Sequence, residues 1–411
     1  MQLSLFKHFN KEAFWEELFQ AYFDCRKNKR NTLNALVFEK HLEHNLFLLS
    51  EEILNGKYIP GRSIAFIVNR PVKREVFAAD FRDRVVHHWL INKLNPLFEE
   101  LFIDDSYACR LGKGTHFGQK RIIQFVQQCS NGYAKNCYIL KLDILGFFMH
   151  INRSLLLNKL NVFINLKYHD DDKELVLEIA QKIILNSPEK NCIIKGSEND
   201  WLGLPPNKSL FHSPQDCGLP IGNLTSQVLA NFYLHPLDEL LYNRLGFNFY
   251  GRYVDDFVVV HDDISQLKSL IKIVNAFLQE NLGLKLHPNK IHLQHFSKGV
   301  RFLGVIIKPN RTYIAPRTKG NFFDAILKYN VLLKQGPVGN DILTGFLSSM
   351  NSYLGILKHT NSYRLRRKMI KQYLDEFWFK FFRLDSSVLK FKRKAQLGIH
   401  KIIQDRFFIV L

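Results

Sequence analysis

Over roughly the first 57 residues apolar side chains return at helical spacing: Phe14, Leu18 and Tyr22, then Leu36, Phe38, Leu42, Leu46 and Leu49. This predicts helices with one buried face, the second capped by Asn31 or Thr32. At Tyr58-Ile59-Pro60-Gly61-Arg62 the period changes. Ser63 to Val68 reads as a strand, Arg70-Pro71-Val72-Lys73-Arg74 as a bend, and Glu75 to Ala79 as the returning strand of a hairpin with a basic tip. Such a tip is a solvated turn or an arm that reaches a triphosphate. A helix follows from Asp80; its neighbours His87 and His88 point about 100° apart, cannot chelate one ion together and are read as structural. Ser106 to His116 is a basic, glycine-bearing loop opening another helix, equally a phosphate cradle or a plain turn.

The run Cys137 to Leu142 is apolar enough for a strand buried on both faces, and it ends on Asp143. Residues 150–185 return to helical spacing, with Asp170-Asp171-Asp172 marking a helix start through the dipole and not a metal site. The polar stretch 186–216 predicts an extended loop or surface hairpin. Cys217 to Gln227 is a turn opening a helix to about Leu245, in which Gly222 permits close backbone approach. Phe249 to Val260 reads as two buried strands joined by a tight turn with Asp255-Asp256 at its tip. A helix over 264–282 follows, then a short strand and turn at 284–290 and a hairpin pairing Val300–Ile307 with Thr312–Ile314. The remainder predicts helices at about 318–335, 340–355 and 360–383, followed by a short basic segment.

An isolated Asp-Asp is most simply an acidic turn. Here three acids sit at the ends of apolar strands, and a strand, helix, helix, strand, hairpin order is the split β-α-β-β arrangement, in which such ends converge on one sheet. Buried adjacent carboxylates repel and require a cation, for which oxygen-ligated magnesium is the natural choice. Three acids around two magnesium ions suit an in-line phosphoryl displacement.

The formal net charge of +19, from 57 Lys and Arg against 38 Asp and Glu, implies a polyanionic partner. Arg364, Arg366, Arg367, Lys368 and Lys371, then Lys390, Lys392, Arg393 and Lys394, are a solvated face or a nucleic-acid track, and the overall charge favours the track. No apolar run approaches the roughly 20 residues of a membrane span. The amino terminus carries no signal pattern, so a mature, cytoplasmic protein without a membrane partner is expected. The six cysteines lack a C-x-x-C pair and read as reduced core thiols.

The blocks Arg74, Phe81 to His88, Tyr107 to Gly114, Asp143 to Phe148, Gly218 to Gln227, Tyr253 to Asp256, Lys290 and Phe302-Leu303-Gly304 resemble, in this order, those of bacterial reverse transcriptases. The resemblance covers about residues 55–310. It implies an α+β right-hand polymerase with a split β-α-β-β palm, fingers and an all-helical thumb. Its parts would be an N-terminal helical segment (1–57), fingers and palm (58–315, with the 186–216 insertion), a thumb (316–383) and a basic C-terminal extension (384–411).

Residue by residue, the resemblance implies that Asp143, Asp255 and Asp256, with the Ile144 carbonyl, bind two Mg2+ ions, for which Mn2+ can substitute. Lys290 would lie by the leaving pyrophosphate, completing the catalytic set. Arg74, with Arg70 and Lys73, would hold the triphosphate, and Phe148 would exclude a ribose 2′-hydroxyl beside Ile221 and Gly222. Tyr107, Arg110, Lys113, Gln227 and Tyr253 would lie along template and primer, with Phe302, Leu303 and Gly304 as the primer grip.

Where most reverse transcriptases carry Gln-Gly, this chain has Ile221-Gly222, which is similar to the diversity-generating retroelement branch. The implied activity is RNA-directed DNA synthesis, copying a dedicated template RNA into cDNA from dNTPs, with a noncoding RNA and an accessory or second protein as partners. The alternatives are an antiphage defence-associated reverse transcriptase and, from another class, a non-catalytic RNA-binding scaffold. An RNA-templated RNA polymerase is disfavoured by Phe148. No zinc or endonuclease cluster of the group II intron kind is seen in the sequence.

Overall fold

Helices Lys11–Arg26, Leu33–Glu39 and Leu42–Leu54 form where the amino-terminal apolar residues recur, in a computed structural model that describes residues 10–27, 32–69 and 72–394. The Asn10 side chain caps the first helix, accepting the Glu12 and Ala13 amides at 3.0 and 3.1 Å. Thr32 holds the cap position of the second without a side-chain bond, and Asn31 lies outside the described residues. The helices bury Phe14, Leu18, Leu46 and Leu49 against Val85, Trp89 and Leu94 of the long helix Phe81–Leu101, in the same core as the central strands. Asp80 starts that helix by accepting the Arg82 amide at 3.0 Å.

Two compact units divide the chain, the first ending at Leu293 and the second beginning at Gln294. In the first, strands Tyr250–Tyr253, Asp256–His261 and Tyr138–Asp143 lie side by side in that order, antiparallel throughout. Phe257 to Val260 are all buried, as a strand covered on both faces requires. The covering helices include Leu224–Asp238 and Ile264–Leu282. The first runs on past Asp238 as a π-helical turn, Glu239–Arg244.

A second sheet centres on Ser63–Val68, with Arg74–Ala78 antiparallel on one side and Cys192–Ile194 parallel on the other. The stretch 186–216 is therefore not an extended loop or a surface hairpin. It forms four 3-10 turns and that short strand, folded onto the Arg74–Ala78 hairpin. Buried Glu75 is its anchor: the carboxylate accepts from Trp201 Nε1 at 2.6 Å, from Ser209 Oγ at 2.7 Å and from the Leu210 amide.

The second unit carries the antiparallel strands Val300–Phe302, Val305–Lys308 and Arg311–Ile314, which the sequence reading places at the end of the preceding domain. Helices Pro316–Lys334, Asn340–Lys358 and Tyr363–Tyr373 follow. The last ends earlier than its periodicity suggests. Asn330 donates to the Tyr373 carbonyl at 2.7 Å and accepts the Asp375 amide at 3.0 Å, satisfying the backbone where the helix stops. A short turn and the strand pair Phe382–Leu384 and Phe391–Arg393 complete the described chain, and Phe382 and Phe391 enter this unit's core around Phe346 and Trp378. The segment after residue 383 is thus partly structural. Arg366 is buried too, bonded to the Leu357 carbonyl at 3.2 Å, while Arg364, Arg367, Lys368 and Lys371 are exposed. Among the described residues no helix is long and apolar enough to cross a membrane.

Candidate active site

Strand register brings the acids together. Asp143, the last residue of its strand, pairs directly with Asp256, the first of the next, and Asp256 also pairs with Tyr253 across the hairpin. Val254 and Asp255 are therefore the two loop residues of a tight turn. Val254 has φ +57, the left-handed region that β-branched residues avoid. Tight two-residue hairpins need such a positive φ, normally supplied by glycine or asparagine.

The electrostatics are those of crowded acids. Burial, then the Asp143 and Asp256 carboxylates, pushes the Asp255 carboxyl up to about 7. Burial also pushes Asp256 up to about 6, against the pull of Lys141. Two ammonium groups face the three carboxyls. Lys290, in the 3-10 turn Pro288–Lys290, holds both Asp143 oxygens at 2.7 and 2.9 Å. Lys141 Nζ lies 3.0 Å from Asp256 Oδ1, an ion pair that draws this carboxyl down against its burial. The His287 amide bonds the Asp143 carbonyl at 2.8 Å and the Leu145 amide bonds the Lys285 carbonyl at 2.9 Å, fastening the backbone on either side of buried Ile144.

This donor set suits a hard divalent cation. It consists of carboxylate oxygens only, and their mutual repulsion is what such a cation relieves. As the side chains lie, no group of three His, Cys, Asp or Glu among the described residues is gathered closely enough to hold a metal ion. Asp143 is turned onto Lys290 instead.

The other sequence-selected residues divide sharply. Phe148 and Ile221 both pack against the small apolar cluster of Ala65, Phe77, Met149 and Leu210. The Ile221 carbonyl accepts the Phe77 amide at 2.8 Å, and a Cβ on Gly222 would stand 2.7 Å from Val76 Cγ1, so only glycine lets this segment lie against the Arg74–Ala78 strand. Arg74 is exposed; Lys73 donates to the Leu202 carbonyl at 2.6 Å. Arg70 lies outside the described residues. Gln227 accepts from Cys109 Sγ at 3.0 Å, and Tyr253 is half-buried at the turn.

Tyr107, Arg110 and Lys113 bond to neighbours in and beside their own loop. Tyr107 is wholly buried, its hydroxyl on Asp105 at 3.1 Å. Arg110 pairs with Glu99 and donates to the Ile103 and Ser106 carbonyls, and Lys113 is held by Asp104. Their charges and hydroxyl are spent on folding this loop. Phe302 is buried within its own sheet, and Leu303 and Gly304 form the turn beyond it with φ +46 and +83.

Two site residues escape a sequence reading. Lys141 is a lone cation in an apolar run, two residues before Asp143 and so on the same strand face. Arg252 is a charge inside a buried strand, and that mismatch with its surroundings is its only signal.

Residues 73–307, more than half of the chain, match the family described as reverse transcriptase (RNA-dependent DNA polymerase). Protein YkfC of Escherichia coli is 22% identical over 355 residues, covering 76% of this chain and 86% of that protein. A putative COX1/OXI3 intron 2 protein of Saccharomyces cerevisiae is 28% identical over 100 residues, 23% of this chain and 12% of that protein. Among solved structures, a truncated apo telomerase of Candida tropicalis matches with a TM-score of 0.45 at 14% identity, covering 62% of this chain. A Candida albicans telomerase in complex with a fragment of telomeric RNA matches with a TM-score of 0.45 at 12% identity, covering 84% of this chain. The chain spans 55% and 61% of the length of those two telomerase chains. With mixed helices and strands in a right-hand polymerase fold, the chain belongs to the reverse transcriptase family and is an RNA-directed DNA polymerase.

Proposed function

We propose that this chain copies a dedicated RNA template into cDNA by nucleotidyl transfer at Asp143, Asp255 and Asp256. In this reading the first unit supplies fingers and palm and the helices of the second supply the thumb. The observation that carries it is the register pairing of Asp143 with Asp256, with Asp255 on the adjoining turn. Reverse transcriptases generally use divalent metals. Bound at these carboxylates, two magnesium ions would supply Lewis-acid activation of the attacking hydroxyl and neutralise charge on the leaving pyrophosphate.

The chain's own side chains do the rest. The three carboxylates, brought to one place by the sheet, hold the charge that the cations balance. Lys290, released from Asp143, donates to the departing phosphate oxygens, and Lys141 keeps Asp256 ionised. Arg74 meets the triphosphate from the exposed edge of its strand. Phe148, backed by Phe77 and Met149, keeps its ring where a ribose 2′-hydroxyl would otherwise fit. Phe148→Ala should therefore lower discrimination against ribonucleotides by about a hundredfold in single-nucleotide incorporation.

We further propose the diversity-generating type, supported by Ile221 at a position where a polar side chain would contact the incoming nucleotide. Its apolar side chain leaves the nascent base pair less constrained. Comparing misincorporation opposite template adenine by the wild type and Ile221→Gln tests this, and identical error spectra would remove the argument. The core activity is tested with purified protein, magnesium, a primed RNA and labelled deoxynucleotides or ribonucleotides, with Asp255→Asn as control. Extension with deoxynucleotides by the wild type alone is expected. RNA binding without any extension would instead favour the scaffold reading.

A further inference from the structure

Arg252 is wholly buried in strand Tyr250–Tyr253, two residues before the strained Val254. Its Nε and Nη2 donate to the two Asp238 oxygens at 2.8 and 2.5 Å, an ion pair in which neither side chain reaches solvent. The Tyr250 hydroxyl fixes that carboxylate from another direction, at 2.6 Å. The remaining arm of the guanidinium goes elsewhere. Nη1 donates to Asn231 Oδ1 at 3.2 Å and to the Val254 carbonyl at 3.1 Å. Asp238 and Asn231 both belong to helix Leu224–Asp238, so a cation anchored on that helix grips the peptide that joins Val254 to Asp255.

A buried ion pair is an inefficient way to stabilise a core, because desolvation offsets most of its attraction. A β-branched residue at positive φ would relax if nothing held it. Together these give the buried fork a use that packing does not supply. Arginine is suited to it, since its planar donors satisfy a bidentate carboxylate and still reach a carbonyl, which one lysine ammonium cannot do.

We propose that Arg252 is a positioning residue: by holding the Val254 carbonyl it locks the strained turn, and so aims the Asp255 and Asp256 carboxylates at a divalent cation. This rests on the proposed role of Asp143, Asp255 and Asp256 as metal ligands. Arg252 itself touches neither metal nor substrate. Its effect runs through backbone geometry.

The test uses the full chain without nucleic acid. Mn2+ binding is followed by electron paramagnetic resonance, well below each variant's melting temperature, for the wild type, Asp255→Asn, Arg252→Lys, Asp238→Asn and the last two combined with Val254→Gly. Arg252→Lys is expected to weaken Mn2+ binding by at least about tenfold, as loss of a group supporting metal ligands does. Val254→Gly should restore most of that affinity, since glycine takes the positive φ without restraint. Asp238→Asn loosens the same guanidinium, should shift affinity in the same direction, and decides the matter if Arg252→Lys does not fold. Unchanged Mn2+ affinity with a lowered melting temperature would reduce Arg252 to a core brace and overturn the proposal. Lost affinity that Val254→Gly does not recover would overturn the route through the turn. If Asp255→Asn binds Mn2+ as well as the wild type does, the metal-site reading itself fails, an outcome distinct from both.

Discussion

Glu75, fully buried in its strand, and the pair Asp255-Asp256, half-buried at a hairpin tip, are carboxyls of the same unit, and they are solved in opposite ways. Glu75 accepts three hydrogen bonds, from an indole, a hydroxyl and a backbone amide, and so fixes residues 201–210 onto its hairpin. Asp255 and Asp256 lie beside each other and Asp143, with the Lys141 ammonium against Asp256, and depend on a strained turn. A buried acid whose needs are met inside the protein holds structure together. One whose needs are left open is stored for something that arrives later.

The largest effect expected from this contrast is at Asp255. Its carboxyl is raised from an ordinary 3.8 to about 7, so the stability it contributes as a neutral acid is present at low pH and lost as pH rises through that window. Asp255→Asn should lower primer extension by at least about a thousandfold. The same substitution should raise the melting temperature of the metal-free protein at pH 8. Magnesium should stabilise the wild type and not the variant. A variant that melts lower than the wild type without metal would place Asp255 with Glu75 and end the contrast.

Glu75→Ala should do the reverse, destabilising strongly while sparing chemistry. Three donors lose their acceptor, at about 1–3 kcal/mol each. Calorimetry should show a lower melting temperature, and hydrogen exchange should show lost protection in residues 192–212. Because this region also holds Lys73 through Leu202, the KM for nucleotide should rise more than kcat falls. An equal loss in kcat would show that the anchor acts on the reacting groups as well.

What made the acids legible was local: apolar runs ending on carboxylates, and a hairpin whose register follows from its two-residue turn. What stayed hidden depends on partners that other elements of the fold supply. Residues 186–216 look like a loop because Glu75, which anchors them, lies more than a hundred positions earlier. Tyr107 and Arg110 look like surface groups because an aromatic and a cation in a glycine-bearing loop usually are. They are buried because Gly251 has no side chain and leaves the Tyr107 ring its space, and because Glu99 and two carbonyls take the guanidinium. Arg252 is hidden because its partners Asp238 and Asn231 come from the helix that precedes its strand.

The smallest expected effect sharpens the line between the two kinds of acid. Asp83, buried in the first turn of its helix, accepts from the Tyr58 hydroxyl at 3.1 Å and the Gly61 amide at 2.8 Å. Its carboxyl is nonetheless raised, because burial outweighs those donors and nearby Arg82, and Asp80 adds to the rise. Two donors are thus too few to offset the burial of this acid. Asparagine retains one acceptor for Gly61, and its amide can donate to the Tyr58 oxygen once that hydroxyl rotates. Asp83→Asn should then change stability by less than about 1 kcal/mol at acidic pH and leave primer extension unchanged. As pH rises above the ordinary 3.8, ionisation of a raised carboxyl opposes folding, so the wild type should lose stability relative to the variant. Melting temperatures of both proteins across pH 4–8 check the sign, and a wild type that gains on the variant toward high pH would show that two donors already suffice.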